Sequence, residues 1–295
     1  MSRPHVVAPS ELSALRDLEL VTRATVEGLR QGLHRSPFHG YSAEFSQYRH
    51  YRPGDDLKYV DWKAFARTDR LYTRQFRETT NLQALFIVDV SRSMDFPQGA
   101  SITKLALARA VAAVLGTLVL DQGDAAGVLA VGDRVHLVPP RSGHHHLRLC
   151  LALVAALQAE GTSGVEAALR RAASLMKRRG LIVVISDFYE ETAAVAAVRR
   201  LARMGHDVVV VQVLSREELT LGVEGAMELV DLESGRTLVV QPDTARAGYR
   251  ASLDAWLSDM ERQVKREGLD YLRLVTGDPL ESALRRFLVS RRGGR

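Results

Sequence analysis

The chain has 295 residues, of which 46% are hydrophobic and 25% are charged, and its net charge is +5. This composition is ordinary for a soluble globular protein and allows one large α/β domain with an extension. The single cysteine, Cys150, excludes a disulfide framework and favours a reducing cytoplasm, and we expect it to be a buried helix residue. The longest apolar stretch, 105–120, is too short and too interrupted to span a bilayer, so we expect no membrane segment.

The first predicted element is an amphipathic helix over residues 10–33, which the Ser36-Pro37 pair follows. Residues 38–56 are dense in aromatic, arginine and acidic side chains, and residues 71–78 alternate as a strand does. We predict that residues 1–80 form an N-terminal helix/β extension and that residues 81–295 form the main domain.

Residues 85–88 form a continuous apolar run, which predicts a strand buried on both faces. The run stops at Asp89, and Ser91 and Ser93 follow at alternate positions before helical periodicity resumes near Lys104. Open α/β sheets place their ligand sites in such polar loops after parallel strands. One carboxylate and two hydroxyls are hard oxygen donors, which suit Mg²⁺ better than zinc. A capped turn would use the same residue types, so both interpretations are open on these residues alone.

Strands and helices alternate through the rest of the chain. Helices are predicted over residues 103–120, 144–158, 165–178, 190–204, 244–267 and 279–291, and buried strands over residues 125–131, 181–185, 207–214 and 271–275. Residues 134–139 predict an antiparallel strand, and residues 226–241 a hairpin insertion. This alternation predicts a mostly parallel sheet with helices on both faces, whose parallel strands end at one edge.

Two other kinds of site are not expected from these residues. The three histidines at 144–146 begin a helix, where adjacent side chains diverge by about 100°, so they are poorly placed to bind zinc together. No phosphate-cradling glycine loop follows the first buried strand, and we therefore expect no nucleotide binding.

The pattern Asp89-x-Ser91-x-Ser93 after a strand resembles the metal-ion-dependent adhesion site of the von Willebrand factor A domain. In that pattern a second loop supplies a threonine, where this chain has Thr162, and a third loop supplies an aspartate, where it has Asp187. The resemblance implies a Rossmann-like fold of the von Willebrand factor A type. It also implies that these five residues bind Mg²⁺, or Mn²⁺ or Ca²⁺, and leave one coordination position for an Asp or Glu of a client protein.

A second resemblance covers the chain from about residue 40 to its end. Its residues are Glu44-Phe45, Tyr48-Arg49, Tyr51, Pro53-Gly54-Asp55-Asp56, Val60-Asp61-Trp62-Lys63 and Ala66-Arg67. They resemble the MoxR-associated family called domain of unknown function 58. The resemblance implies a MoxR-type AAA+ ATPase as partner, on a separate polypeptide because this chain has no Gly-x-x-x-x-Gly-Lys-Ser/Thr loop.

The aromatic and charged residues of the extension have two possible roles. They can form an arginine–carboxylate network that braces the extension, or a face that docks the ATPase. The candidate docking residues are Tyr48, Arg49, Tyr51, Arg52, Asp55, Asp56, Asp61, Trp62 and Arg67.

The prediction is therefore a non-enzymatic, metal-dependent protein-binding module, an adaptor or substrate-recognition partner of the ATPase in chaperone-like remodelling or maturation. A Mg²⁺-dependent hydrolase is the first alternative, with Asp89 and Asp187 holding the metal and Asp95 or His206 as general base. A nucleic-acid-binding module is the second, although the basic residues are not interleaved with exposed aromatics.

Overall fold

The computed structural model describes residues 9–32, 43–78, 82–97, 102–189, 191–220, 227–233, 235–240 and 242–293. The chain divides into two compact units, a smaller one over Phe38–Leu82 and a larger one made of Met1–Pro37 and Gln83–Arg295. The first helix thus belongs to the larger unit, whereas the sequence-based division near residue 80 grouped it with the extension. No helix in the described ranges is both long enough and apolar enough to cross a membrane.

The elements alternate along the chain much as the sequence predicts. In chain order they are α1 (Pro9–Gly32), β1 (Ala43–His50), α2 (Trp62–Thr68), β2 (Tyr72–Glu78), β3 (Gln83–Asp89), α3 (Lys104–Asp121), β4 (Ala125–Val131), β5 (Val135–Arg141), α4 (His144–Ala156), α5 (Val165–Leu175), β6 (Leu181–Ser186), α6 (Glu191–Arg203), β7 (Asp207–Leu214), α7 (Arg216–Thr220), β8 (Met227–Val230), β9 (Thr237–Val240), α8 (Pro242–Arg266), β10 (Asp270–Val275) and α9 (Leu280–Gly293). Short 3-10 helices lie at Leu57–Tyr59 and Arg92–Asp95.

The larger unit is built on a six-stranded sheet in the order β10-β7-β6-β3-β4-β5. Strand β3 pairs in parallel with β4 on one side and with β6 on the other, and only β5 is antiparallel. From β3 the chain proceeds outward through β4 to β5, and from β6 it proceeds in the opposite direction to β7 and β10. The order therefore reverses between β3 and β6, which is the place where open α/β sheets bind ligands.

Helices cover both faces of this sheet because its central strands are apolar on both sides. Leu85 and Ile87 face a cluster that includes Leu169 of α5 and Val198 of α6. Phe86 points to the other face, where the backbone of Gly116 in α3 lies against its ring. On that face α1 packs on α3, α4 and α9. The predicted fold class is confirmed, with a mostly parallel sheet between two helical layers and a β8–β9 hairpin insertion.

Two residues of α4 illustrate how its start and inner face are packed. His146 is buried, and its Nε2 lies 2.8 Å from the backbone oxygen of Ala126 in β4, whereas His144 and His145 are exposed. Cys150 is buried in the same helix, as predicted, and this burial raises the pKa of its thiol to about 11.

The smaller unit is an antiparallel pair, β1 and β2, with helix α2 in the connection between them. The sequence predicted β2 but not β1. A bulge between Phe45 and Gln47 explains why, because the extra residue puts Phe45 and Tyr48 three positions apart and hides the two-residue period. Asp61 begins α2 by accepting hydrogen bonds from the N–H groups of Lys63 and Ala64, each over 3.0 Å.

Candidate metal centre and docking surface

Asp89 is the last residue of β3 and is almost completely buried. Its Oδ1 accepts a hydrogen bond from the backbone N–H of Ser91 over 2.9 Å. Its Oδ2 accepts one from the hydroxyl of Ser186 over 2.7 Å and one from the hydroxyl of Ser163 over 3.2 Å. The Ser91 and Ser93 hydroxyl oxygens lie 3.0 Å apart. Side chains from three separate strand ends and loops therefore meet at Asp89.

The second aspartate, Asp187, directly follows β6 and is also buried. Its Oδ2 accepts a hydrogen bond from Nζ of Lys104 over 2.8 Å. The same ammonium lies 2.6 Å from Oε1 of Glu218 in α7. Lys104 is the first residue of α3, and its side chain is fully buried. An ion-pair network therefore adjoins the oxygen cluster, which we define as Asp89, Ser91, Ser93, Ser163, Ser186 and Asp187.

Burial, and after it the negative charge of Asp187, raises the pKa of the Asp89 carboxyl to about 6, although hydrogen bonds from Ser186 and Ser91 oppose the shift. Burial by itself lowers the pKa of Lys104, but the charges of Asp187 and Glu218 outweigh it and raise that pKa above its ordinary value. The lysine is thus charged at neutral pH. With all three carboxylates ionised, one ammonium leaves an excess of two negative charges in a largely buried region.

The oxygen cluster fits a divalent cation in its chemistry and in its charge. Carboxylate and hydroxyl oxygens are hard donors of the kind that Mg²⁺, Mn²⁺ and Ca²⁺ accept. A divalent ion would also balance the two negative charges that Lys104 leaves uncompensated. Within the described ranges, no group of three or more His, Cys, Asp and Glu side chains is arranged for metal binding, so such a site would depend on the serine hydroxyls.

Four of the five predicted ligands, Asp89, Ser91, Ser93 and Asp187, belong to this cluster. Thr162 is exposed, and the neighbouring Ser163 is the residue whose hydroxyl contacts Asp89. The role of Thr162 as a ligand stays a prediction, and Ser163 is a second candidate from the same loop.

Gly161 explains how the second loop reaches Asp89. Its φ of +67° lies in the left-handed region, and a Cβ there would meet the Asp133 carboxylate at 1.8 Å. Its carbonyl oxygen accepts a hydrogen bond from the N–H of Arg92 over 3.1 Å, which ties the second loop to the loop after β3.

Three charged residues beside the cluster, Lys104, Glu218 and Glu233, were not predicted from the sequence to lie there. Lys104 was noted only as the place where helical periodicity resumes. Glu218 had a detectable signal, because Ser215 and Glu218 form a capping box in which each side chain accepts the other's backbone N–H. Glu233, in the β8–β9 turn, accepts the N–H of Ser163 over 3.3 Å, whereas the sequence predicted only a hairpin there.

The two residues considered as general bases for a hydrolase, Asp95 and His206, lie at different distances from the oxygen cluster. Asp95 lies two residues after Ser93 and is exposed. His206 directly precedes β7, at the amino end of that strand, whereas the oxygen cluster lies at the carboxyl ends of β3 and β6. Burial lowers the pKa of His206. A base at His206 would therefore lie at the edge of the sheet opposite to Asp89.

In the smaller unit, part of the predicted docking set is a bracing network. Arg49 donates to both oxygens of Asp55 over 2.7 and 2.8 Å, and the hydroxyl of Tyr48 donates to Asp61 over 2.9 Å. The backbone N–H of Arg52 and then the Arg49 side chain hold the pKa of Asp55 below its usual value. These contacts are the arginine–carboxylate network that the sequence allowed.

Other members of the set lie at the surface. Helix α2 buries none of its residues, and Trp62 and Phe65 are 57% and 36% exposed, with their rings in edge contact. Arg67 of the same helix is exposed, and so are Arg52 and Asp56 of the preceding turn, while Tyr51 is half-buried. We call the exposed side chains of Trp62, Lys63, Phe65 and Arg67 the α2 surface.

The mostly parallel sheet between two helical layers gives this chain an α/β fold of the von Willebrand factor A type. Residues 47–264 match the family described as "Protein of unknown function DUF58", and the chain belongs to this family. Over its whole length the chain is 32% identical to uncharacterized proteins of Mycobacterium tuberculosis and Mycobacterium bovis, and it covers 94% of each.

Two solved structures show similarity at low sequence identity. BatB from Bacteroides thetaiotaomicron is 20% identical with a TM-score of 0.48, over 72% of this chain and 100% of that one. The SpRpn10 VWA domain is 13% identical with a TM-score of 0.40, over 69% of this chain and 93% of that one.

Proposed function

We propose that the protein is a non-enzymatic binding module that holds a client protein through a divalent metal at the oxygen cluster. The family and the fold suggest a protein-interaction module. The observation that supports metal dependence is the pair of buried aspartates, Asp89 and Asp187, at the switch point of the sheet with an uncompensated negative charge. The bound metal would offer an open coordination position to an Asp or Glu of the client.

Each residue of the cluster would have its own role in binding the metal. Asp89 would be the main anionic ligand, held in place by its hydrogen bonds to Ser91 and Ser186. The hydroxyls of Ser91 and Ser93 would complete the loop after β3, and Thr162 or Ser163 would serve from the second loop. Asp187 would contribute the oxygen that Lys104 does not engage.

Calorimetry of the metal-stripped protein with Mg²⁺ and Mn²⁺ tests this proposal. We expect one ion to bind per chain, and Asp89→Ala to abolish binding because it removes the main anionic ligand. Asp95→Ala is the matched control, because this exposed aspartate lies in the same connection but outside the cluster. If millimolar metal fails to bind wild type, or binds the Asp89→Ala variant equally well, the metal centre is refuted.

We further propose that the α2 surface docks a MoxR-type AAA+ ATPase in the cytoplasm. Exposed tryptophan and arginine side chains are typical of the residues that contribute most to interface affinity. Helix α2 carries Lys63 and Arg67 and no acidic residue, so the surface fits an acidic patch on its partner. The bracing pairs Arg49–Asp55 and Tyr48–Asp61 would keep the helix in place.

Two measurements with a purified MoxR-type ATPase from the same organism test this docking, namely its binding to this protein and its rate of ATP hydrolysis. Trp62→Ala should weaken binding by at least tenfold, which corresponds to about 1.4 kcal/mol. Leu149→Ala is the control, because Leu149 is an exposed apolar residue on α4 in the larger unit. Unchanged binding by Trp62→Ala would reject the α2 surface, and a wild type that does not bind would reject the ATPase partnership.

A further inference from the structure

Lys104 is enclosed at the edge of the oxygen cluster by groups that fix its charge. Its ammonium lies 2.8 Å from Asp187 and 2.6 Å from Glu218, and 4.8 Å from the centre of the Tyr189 ring. The Tyr189 ring in turn stacks on Trp256 at 5.4 Å. The backbone at the start of α3 is fixed as well, because the N–H of Lys104 donates to the carbonyl of Phe96.

Folding alone does not favour a lysine at this position. The first turn of a helix is the positive end of its dipole, where a cation is unfavourable and a carboxylate is preferred. Taking an ammonium fully out of water costs several kcal/mol unless charged partners compensate for it. Helix α3 already has an N-cap, because the hydroxyl of Thr103 accepts from the N–H of Ala106. The role of this lysine is therefore to compensate the charge of the carboxylates around it rather than to stabilise helix α3.

The two aspartates of the cluster differ in their access to this charge. Asp187 is paired with Lys104 through Oδ2. In the described part of the chain, Asp89 forms no ion pair, and it meets only neutral donors. The internal ammonium thus stabilises one aspartate of the cluster and leaves the other without a cation.

We propose that Lys104 is a built-in cation of the metal centre, which keeps the metal-free domain folded and at the same time weakens metal binding. This inference rests on the proposed metal dependence and deepens it. When no metal is present, Lys104 offsets part of the negative charge of Asp187 and Glu218. It also repels an incoming divalent ion and occupies one oxygen of Asp187, so the site holds its metal in a weak and exchangeable way. Lys104 is not itself a metal ligand, because it acts on the site through its charge and through its ion pair with Asp187.

Two substitutions, Lys104→Met and Glu218→Gln, should change the affinity for Mn²⁺ in opposite directions. Lys104→Met keeps the unbranched shape of the side chain but lacks the terminal ammonium, which frees Oδ2 of Asp187 and makes the cluster more negative. Mn²⁺ should therefore bind at least about tenfold tighter. Glu218→Gln keeps the shape of its side chain but removes a competing partner, so Lys104 would hold Asp187 alone. The cluster is then less negative, and Mn²⁺ should bind about threefold weaker or worse. Lys104→Arg keeps the positive charge and should bind no tighter than wild type.

The full-length variants are compared by calorimetry with Mn²⁺ and by thermal unfolding with EDTA or Mn²⁺. In EDTA, Lys104→Met should melt below wild type, and Mn²⁺ should raise its melting temperature more than that of wild type. A lysine that only orients Asp187 predicts the reverse, namely that Lys104→Met binds Mn²⁺ more weakly. Should Lys104→Met fail to fold, Glu218→Gln decides the matter, because it retains the Lys104–Asp187 pair.

The outcomes separate this inference from the proposed function. Binding by Lys104→Met that is no tighter than wild type overturns the role of Lys104 and leaves the metal centre in place, and so does wild-type affinity in Glu218→Gln. If wild type binds no metal but Lys104→Met does, the built-in cation is supported and the metal dependence of the native protein is overturned. If neither binds, both ideas are wrong.

Discussion

Replacing Asp89 with asparagine should stabilise the metal-free protein at neutral pH. The pKa of the buried carboxyl is raised from 3.8 to about 6, so ionising it in the folded state costs about 3 kcal/mol more than in the unfolded chain. Asparagine removes this cost. It loses part of the hydrogen bonding, because its amide N–H groups cannot accept from Ser91, Ser163 or Ser186, and we assign about 1–2 kcal/mol to that loss. The expected net gain at pH 8 is about 1–2 kcal/mol.

The stability difference between Asp89→Asn and wild type should depend on pH. A carboxyl whose pKa is raised in the folded state contributes stability that is fully present below the unfolded pKa and is lost as the pH rises through the folded pKa. The advantage of Asp89→Asn should therefore be smallest near pH 4, should grow between about pH 4 and pH 6, and should be constant above about pH 7.

Urea unfolding of both proteins in EDTA at several pH values measures this difference directly. Ser93→Ala is a suitable control, because its hydroxyl contacts Ser91 rather than Asp89 and carries no charge that titrates. The reasoning is refuted if Asp89→Asn is less stable than wild type at pH 8 in EDTA, or if the difference does not change between pH 4 and pH 8.

Three further predictions follow from single residues. Protons should compete with metal for Asp89, so Mn²⁺ affinity measured by calorimetry should fall about tenfold between pH 7 and pH 5, whereas a pH-independent affinity would exclude Asp89 as the titrating ligand. Gly161→Ala should destabilise the larger unit by more than about 1 kcal/mol in urea unfolding, because of its positive φ and the contact with Asp133, and unchanged stability would show that the second loop relaxes freely. Cys150 should resist alkylation by iodoacetamide in the native protein at pH 8 and react after unfolding, because burial raises its pKa to about 11.

Much of the larger unit could be predicted because its central strands are apolar on both faces. Such runs are typical of parallel sheets that helices cover on both sides, and the residue after each run then lies at the carboxyl edge of the sheet. That rule places Asp89 and Asp187 together without any knowledge of tertiary contacts. The short helix α7 escaped prediction, because five residues give no periodicity, and β1 escaped because a bulge interrupts its alternation.

The ion-pair network could not be predicted in the same way. Lys104 is 83 residues from Asp187 and 114 residues from Glu218 in sequence, and nothing local indicates that these side chains meet. In the sequence a lysine at the start of an apolar helix is an ordinary solvated residue. The sequence also could not predict which hydroxyl of the second loop contacts Asp89. Thr162 and Ser163 are chemically alike, and only the turn at Gly161 determines that Ser163 reaches Asp89.

The contrast between Asp89 and the other carboxylates of the chain is a further argument that the cluster is functional. Asp55 and Asp259 have lowered pKa values, because hydrogen-bond donors and cations surround each of them. Asp89 is the buried member of this comparison, and its pKa is raised first by that burial and then by the negative charge of Asp187. A chain selected for stability alone would pair or replace such a group. Among the residues that the structure describes, Lys104 is the one buried lysine, and it pairs with Asp187 and Glu218 rather than with Asp89. We therefore expect a cation from outside the chain to supply the missing positive charge at Asp89.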